Sequence, residues 1–223
     1  MSNEPAKGTG FRAVIEDDFD VMAAVGGVRG TAESTIPTLL FLILYTVTGQ
    51  LNVALIIALA SSLVAIALRA FQRIPVSPAL GGLFAIALSA FVAYRSGEAS
   101  NFFVWGLMTN LVYGAVLLVS LLVRFPAVGV LIGFLRGDAI GWRKDPAQAL
   151  TRRRYTQVTW LWLALFVARL AVQTPLYLSN ATEAIGIARL FMGIPLFALV
   201  GWFSWLMVKD LPAVPAAAES NDV

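Results

Sequence analysis

Long uncharged apolar runs alternate with short polar connections along this chain. A helix that crosses a bilayer needs about 20 mostly apolar residues, and six stretches meet that need: 31–47, 51–68, 78–94, 102–123, 156–176 and 183–208. The first has its apolar heart at 36–47, with Pro37 near its start. Ser77-Pro78 reads as N-cap and first helical residue of the third, and Ser100 or Asn101 as the cap of the fourth. Asp145-Pro146 starts a helix ahead of the fifth, which then projects from the membrane. Asn180-Ala181-Thr182-Glu183 has the spacing of a capping box before the sixth. The pattern predicts an all-α, polytopic membrane helix bundle.

Charge fixes its orientation. Cytoplasmic connections carry an excess of Lys and Arg. With six transmembrane helices and the N-terminus inside, 13 of the 16 Lys and Arg residues fall on the inner side, and only Arg95 falls outside. The remaining two, Arg169 and Arg189, lie within spans. Losing or merging one span scrambles this alternation. The expectation is therefore N-in/C-in, a multi-pass protein of the plasma membrane. Its parts are an N-terminal segment 1–30, a membrane domain 31–208 and a disordered tail 209–223, with a basic cytoplasmic connection over 124–155.

Composition agrees and narrows the chemistry. The chain is 59% hydrophobic and 13% charged, with a mean hydropathy of +0.80, whereas soluble domains hold about 25% charged residues. Cysteine and histidine are absent. That excludes disulfides, Cys/His zinc sites, iron–sulfur ligation and a Ser-His-Asp triad. No cofactor or metal is expected, and the reading is non-enzymatic. The polar first 30 residues do not fit a signal peptide, so the first apolar run is expected to act as an uncleaved anchor.

Several segments fall outside the spans. In 11–28 the apolar residues approach helical spacing with acids between them, the pattern of an amphipathic surface helix or of a solvated lead. Gly26-Gly27-Val28-Arg29-Gly30 lacks a phosphate-binding pattern and reads as a flexible approach to the first helix. The stretch 126–135 is apolar but too short to span. Gly129, Gly133, Gly137 and Gly141 recur every fourth residue there, a small-residue stripe for close helix packing or a re-entrant hinge. Arg143, Lys144, Arg152, Arg153 and Arg154 form a polybasic patch. It serves as topology signal or as contact for anionic lipid; no nucleic-acid fold accompanies it, so nucleic acid is not an expected partner.

The last two spans repeat a local string. Val167-Ala168-Arg169-Leu170 leads to Pro175-Leu176-Tyr177, and Ile187-Ala188-Arg189-Leu190 to Pro195-Leu196-Phe197. Each copy places one Arg in the outer part of the membrane, where insertion costs roughly 2.5–3.5 kcal/mol. Gln173 lies one turn from Arg169, and Gly186 and Gly193 flank Arg189 and leave room for its guanidinium. Three readings stay open: snorkelling to lipid phosphates, structural pairing with Glu183, Asn180 or Gln173, or an anion or lipid head-group site built from Arg169, Arg189, Gln173 and Glu183. Asn110, midway along the fourth span, reads as polar glue between helices. No Asp or Glu lies deep in a span, which argues against a carboxylate-based proton pump.

Gly26-Gly27-Val28-Arg29-Gly30, Ile36-Pro37-Thr38-Leu39-Leu40-Phe41, Tyr45-Thr46-Val47-Thr48-Gly49, Leu121-Leu122-Val123-Arg124-Phe125-Pro126, Trp142-Arg143-Lys144-Asp145-Pro146 and Ala168-Arg169-Leu170-Ala171-Val172-Gln173 together resemble an actinobacterial family of uncharacterised multi-pass membrane proteins. The short first hairpin, the basic second connection and Trp160-Leu161-Trp162-Leu163-Ala164-Leu165-Phe166 are similar in layout to the intracellular septation protein A family. That second resemblance implies a role in envelope synthesis and division through protein contacts. The resulting expectation is an envelope-associated scaffolding protein, with membrane lipids, membrane-protein partners or further copies of itself as partners. The alternative is a transporter or channel-like protein that uses Arg169 and Arg189 for a small anion or lipid head group. A third reading is an enzyme or flippase acting on a lipid intermediate.

Overall fold

The structure is a computed structural model that describes residues 27–73, 76–136 and 140–211. The segment 11–28, read as an amphipathic helix or a solvated lead, falls almost wholly outside these residues, and Gly137 and the tail from 212 on fall outside them too. The described residues are all helical: α1 Gly27–Thr48, α2 Leu51–Phe71, α3 Ser77–Ser96, a 3-10 turn Ala99–Phe103, α4 Val104–Leu122, α5 Ala127–Leu135, 3-10 turns Gly141–Arg143 and Pro146–Gln148, α6 Ala149–Leu178, α7 Thr182–Phe191 and α8 Ile194–Val208.

Among the described residues, five stretches are long and apolar enough to cross a membrane: Leu51–Phe71, Ala79–Ser96, Ala99–Leu122, Pro146–Leu178 and Thr182–Val208. The outward faces of these helices carry Ile56, Phe84, Phe91, Val116 and Phe191, all exposed. Water would penalise such a surface and lipid does not. α1 is 22 residues long, but its apolar part is Thr35–Thr48. The helix already includes Gly27–Gly30, where a flexible approach was expected.

Tight turns reverse the chain at each end. Gly49 (φ 64) and Gly97 (φ 73) take the left-handed conformation that closes a helix C-terminus without a Cβ clash. Arg124 (φ 54) and Asn180 (φ 55) do the same after α4 and α6, where Phe125 N–H donates to the Ser120 carbonyl at 2.7 Å and Ala181 N–H to the Leu176 carbonyl at 3.0 Å. The expected caps differ. Val76 precedes α3 as N-cap. Ser100 donates to Asn180 Oδ1 at 2.9 Å across the bundle instead of capping α4. The capping box does not form, because Asn180 is committed to that turn and α7 starts at Thr182 with Ala181 before it. Asp145 does cap, accepting the Ala147 N–H at 2.8 Å, and the 30-residue α6 that follows runs about 45 Å, longer than the hydrocarbon layer.

α6 is the central post; α4, α5, α7 and α8 pack on it, while α1, α2 and α3 form a second group joined through α7 and the 99–103 turn. One core cluster lies toward the end of the bundle bearing the 49–50, 97–98 and 179–181 turns and gathers Phe41, Ala54, Leu55, Ala90, Phe102, Phe103 and Ile185. The other lies at the basic end and gathers Leu117, Val128, Ile132, Trp142, Tyr155, Val158, Phe166, Val208 and Leu211. Leu211 is buried and its carbonyl accepts from Arg136 at 2.9 Å, so the residues 209–211 expected in a disordered tail are part of the fold. At the opposite end the Tyr177 hydroxyl donates to Asn101 Oδ1 at 2.6 Å. Tyr177→Phe removes this bond and is expected to lower stability by about 1 kcal/mol, read as a small drop in unfolding midpoint.

Candidate functional site

The single span expected over 183–208 is two helices. α7 ends at Phe191, α8 starts at Ile194, and Met192 and Gly193 lie between. Pro195 has no N–H and its ring conflicts with a helical carbonyl four residues earlier. A Cβ on Gly193 would sit 2.7 Å from the Arg189 carbonyl oxygen and 3.3 Å from that of Leu190, so only glycine fits this break. The repeated string makes the comparison internal. Gln173 stands where the other copy has Gly193, and there α6 passes through Pro175 unbroken to Leu178.

The break leaves the amino end of α8 inside the membrane domain, and the two arginines gather beside it. Arg169 lies nine residues before the end of α6, about 14 Å along the axis, and Arg189 lies seven residues into α7, about 10 Å. Together with Thr35 and Thr38 of α1, and Leu190, Gly193, Ile194 and Pro195 at the break, they line a cavity of about 430 Å³. Such a volume suits a small ligand.

The guanidiniums occupy the seam between the two core clusters. Arg169 lies over the Phe197 ring at 4.7 Å and Arg189 faces the Phe103 ring at 5.6 Å. Arg169 Nη1 donates to Asn110 Oδ1 at 3.4 Å, a long bond. Arg169 Nε and Arg189 Nη1 are fully shielded from solvent and have no hydrogen-bond partner, and the same holds for Gln173 Nε2. An unsatisfied buried polar group costs about 1–3 kcal/mol, more when charged. Two guanidiniums thus stand beside one cavity with shielded donors that no described group uses.

Gly106 of α4 makes the room for Arg189: a Cβ there would stand 3.1 Å from Arg189 Nη1. Gly186, expected in that role, instead meets Leu42 of α1, 2.7 Å from where its Cβ would be. Gly106→Ala pushes only the far end of a flexible side chain. It is expected to leave the stability within about 1 kcal/mol of the parent, measured by thermal unfolding in detergent.

Of the other candidate residues, Gln173 is buried one turn beyond Arg169 but outside the cavity lining, and Glu183 is exposed in the first turn of α7. Asn110, read as glue, is buried and bonds Arg169. Gly129 and Gly133 are buried on α5. The helix ends at Leu135, so the stripe does not continue along it, and Gly141 opens a separate 3-10 turn. Gly129 packs against Tyr155 of α6, a contact within the chain. Arg143, Lys144, Arg152 and Arg153 line one basic cavity and Arg154 does not. Thr35, Thr38, Phe103 and Gly106 are ordinary residues of other elements, and no local pattern marks them; Phe197 ends the repeated string, which gives no sign of its contact with Arg169.

The family described as "Protein of unknown function (DUF3159)" matches residues 25–214, which include the whole membrane domain. No curated protein matches the chain, and no solved structure does.

Proposed function

Since the chain belongs to the DUF3159 family, whose description assigns no activity, we propose from its geometry that it binds a small anion inside the membrane and conducts or carries it. The observation behind this reading is the cavity at the α7–α8 break, where Arg169 and Arg189 meet with shielded donors that have no partner. A helix interrupted in mid-membrane, with the amino end of its second half facing the cavity, is an arrangement suited to anionic groups. The proposal includes six spans, both termini in the cytoplasm and location in the cytoplasmic membrane. Supporting it, α1 is 22 residues long with an apolar stretch at Thr35–Thr48, and a six-span count with the N-terminus inside puts 13 Lys and Arg on the inner side and one on the outer. Of the glycine stripe, Gly129 makes its close approach to Tyr155 of the same chain.

The test uses the full chain in liposomes containing no other protein. Uptake of chloride, acetate and inorganic phosphate is measured for the parent and for the protein carrying Arg169→Gln and Arg189→Gln. Specific uptake of at least one anion, lost in the double variant, is the expected result. Absence of specific uptake and of binding across all three, or uptake indifferent to both substitutions, overturns the reading.

A further inference from the structure

A second cavity lies at the basic end, where the connection between α4 and α6 folds back. It measures about 1090 Å³, and five cations line it: Arg124, Arg143, Lys144, Arg152 and Arg153. Two of the five build the pocket. Arg143 Nη2 donates to the Arg124 carbonyl at 3.1 Å while its guanidinium covers the Phe125 ring at 4.2 Å. Arg152 Nη1 donates to the Arg143 carbonyl at 2.8 Å. The turn between them is anchored by Trp142, which is 1% exposed and stands edge-on to Tyr155 at 5.0 Å. The wall is thus held by packed, hydrogen-bonded chain.

Among the described residues, no carboxylate neutralises the charge in it. Asp145, next to Lys144, spends its carboxylate on Ala147 N–H at 2.8 Å and Gln148 at 3.4 Å. Among the described residues, none of the five cations has a carboxylate partner. Arg124 adds a member that lies 19 residues before Arg143 in sequence, brought in by its left-handed turn at the end of α4. Position and lining then narrow the ligand. Leu121, in the last turn of a spanning helix, belongs to the wall, so the pocket lies at the hydrocarbon edge. Ile140 and Leu150, which are half-exposed, extend the wall with apolar surface.

We infer that this pocket holds the phosphate of an anionic membrane lipid, with an acyl chain laid along Ile140 and Leu150. Clustered guanidinium and ammonium groups match a phosphate's acceptor oxygens, and basic pockets at this depth are where anionic head groups lie. A soluble phosphate compound shares the polar half of this chemistry but leaves the apolar wall unused. The site is separate from the cavity at Arg169 and Arg189 and does not depend on anion conduction.

Native mass spectrometry of the full chain tests it, titrating phosphatidylglycerol, phosphatidylcholine and inorganic pyrophosphate in turn. The variant pair Lys144→Gln with Arg153→Gln is compared with the charge-matched pair Arg154→Gln with Lys209→Gln, whose residues lie outside the pocket. The parent and the outside pair are expected to retain phosphatidylglycerol in preference to phosphatidylcholine. The pocket pair is expected to bind it roughly tenfold more weakly or worse. Equal loss in both pairs, or no preference between the two lipids, overturns the site. Pyrophosphate bound as tightly as the lipid overturns the lipid as its occupant. If the pocket pair fails to fold, single Arg153→Gln against single Arg154→Gln makes the same comparison between neighbours of equal charge.

Discussion

Replacing both Arg169 and Arg189 by Gln is expected to leave the protein folded, to raise its unfolding midpoint, and to weaken anion binding by roughly a hundredfold or more. The first two outcomes follow from what the charges now touch. Each intramembrane Arg costs roughly 2.5–3.5 kcal/mol on insertion scales. Against this stand one long bond to Asn110 at 3.4 Å and two ring contacts at 4.7 and 5.6 Å, worth about 0.5–2 kcal/mol each. With no acid partner among the described side chains, the balance leaves the pair a liability of order 1–3 kcal/mol in the unliganded protein. The third outcome follows from charge-assisted bonds of about 1.5–3 kcal/mol each; losing two is a factor of about a hundred at the low end. Binding is read by titration and stability by thermal unfolding, both in detergent. A midpoint that falls by several degrees while anion binding persists makes the arginines structural braces and ends the functional reading.

Gly129→Ala is expected to destabilise the protein by about 1–3 kcal/mol, and Gly129→Leu to prevent folding. A Cβ at this position would lie 2.4 Å from Cβ and 3.0 Å from Cγ of Tyr155, well inside contact distance. Neither side is free to retreat. Tyr155 is 1% exposed and stacked edge-on with Trp142, and α5 is held by buried Val128 and Ile132 on either side of the glycine. Gly82 supplies the internal comparison, since a Cβ there meets nothing within 4 Å. In a helix interior that change is expected to stabilise by about 0.5–1 kcal/mol. Thermal unfolding of the two alanine variants reads both signs. A Gly129→Ala protein as stable as the parent shows that α5 does not dock on α6 as described.

The two arginines and the glycine show why site and fold differ in legibility. Both arginines were visible because they break a rule that is itself local, that spans exclude charge. Their shared cavity was not, because Thr35 and Thr38 are more than a hundred residues away and unremarkable in composition. Gly193 was visible as a small residue beside Arg189, but its action is to end a helix, through a clash with the Arg189 carbonyl that exists only in that backbone. The room beside Arg189 that sequence spacing assigns to Gly186 is made by Gly106, and Gly186 meets Leu42 instead. Distance along one helix identifies neighbours on that helix, whereas the atom opposite a glycine belongs to another helix.

Apolar run length and the placement of Lys and Arg along one chain determined by themselves that this is a helical membrane protein and where most of its helices run, because lipid imposes that requirement on each segment separately. The tertiary structure alone decided that the last span is broken, that two cations and the broken helix enclose one cavity, and that Arg124 joins Arg143, Lys144, Arg152 and Arg153 around another. Those are distances between segments remote in sequence, set by how side chains fill the space between helices, and no single segment carries them.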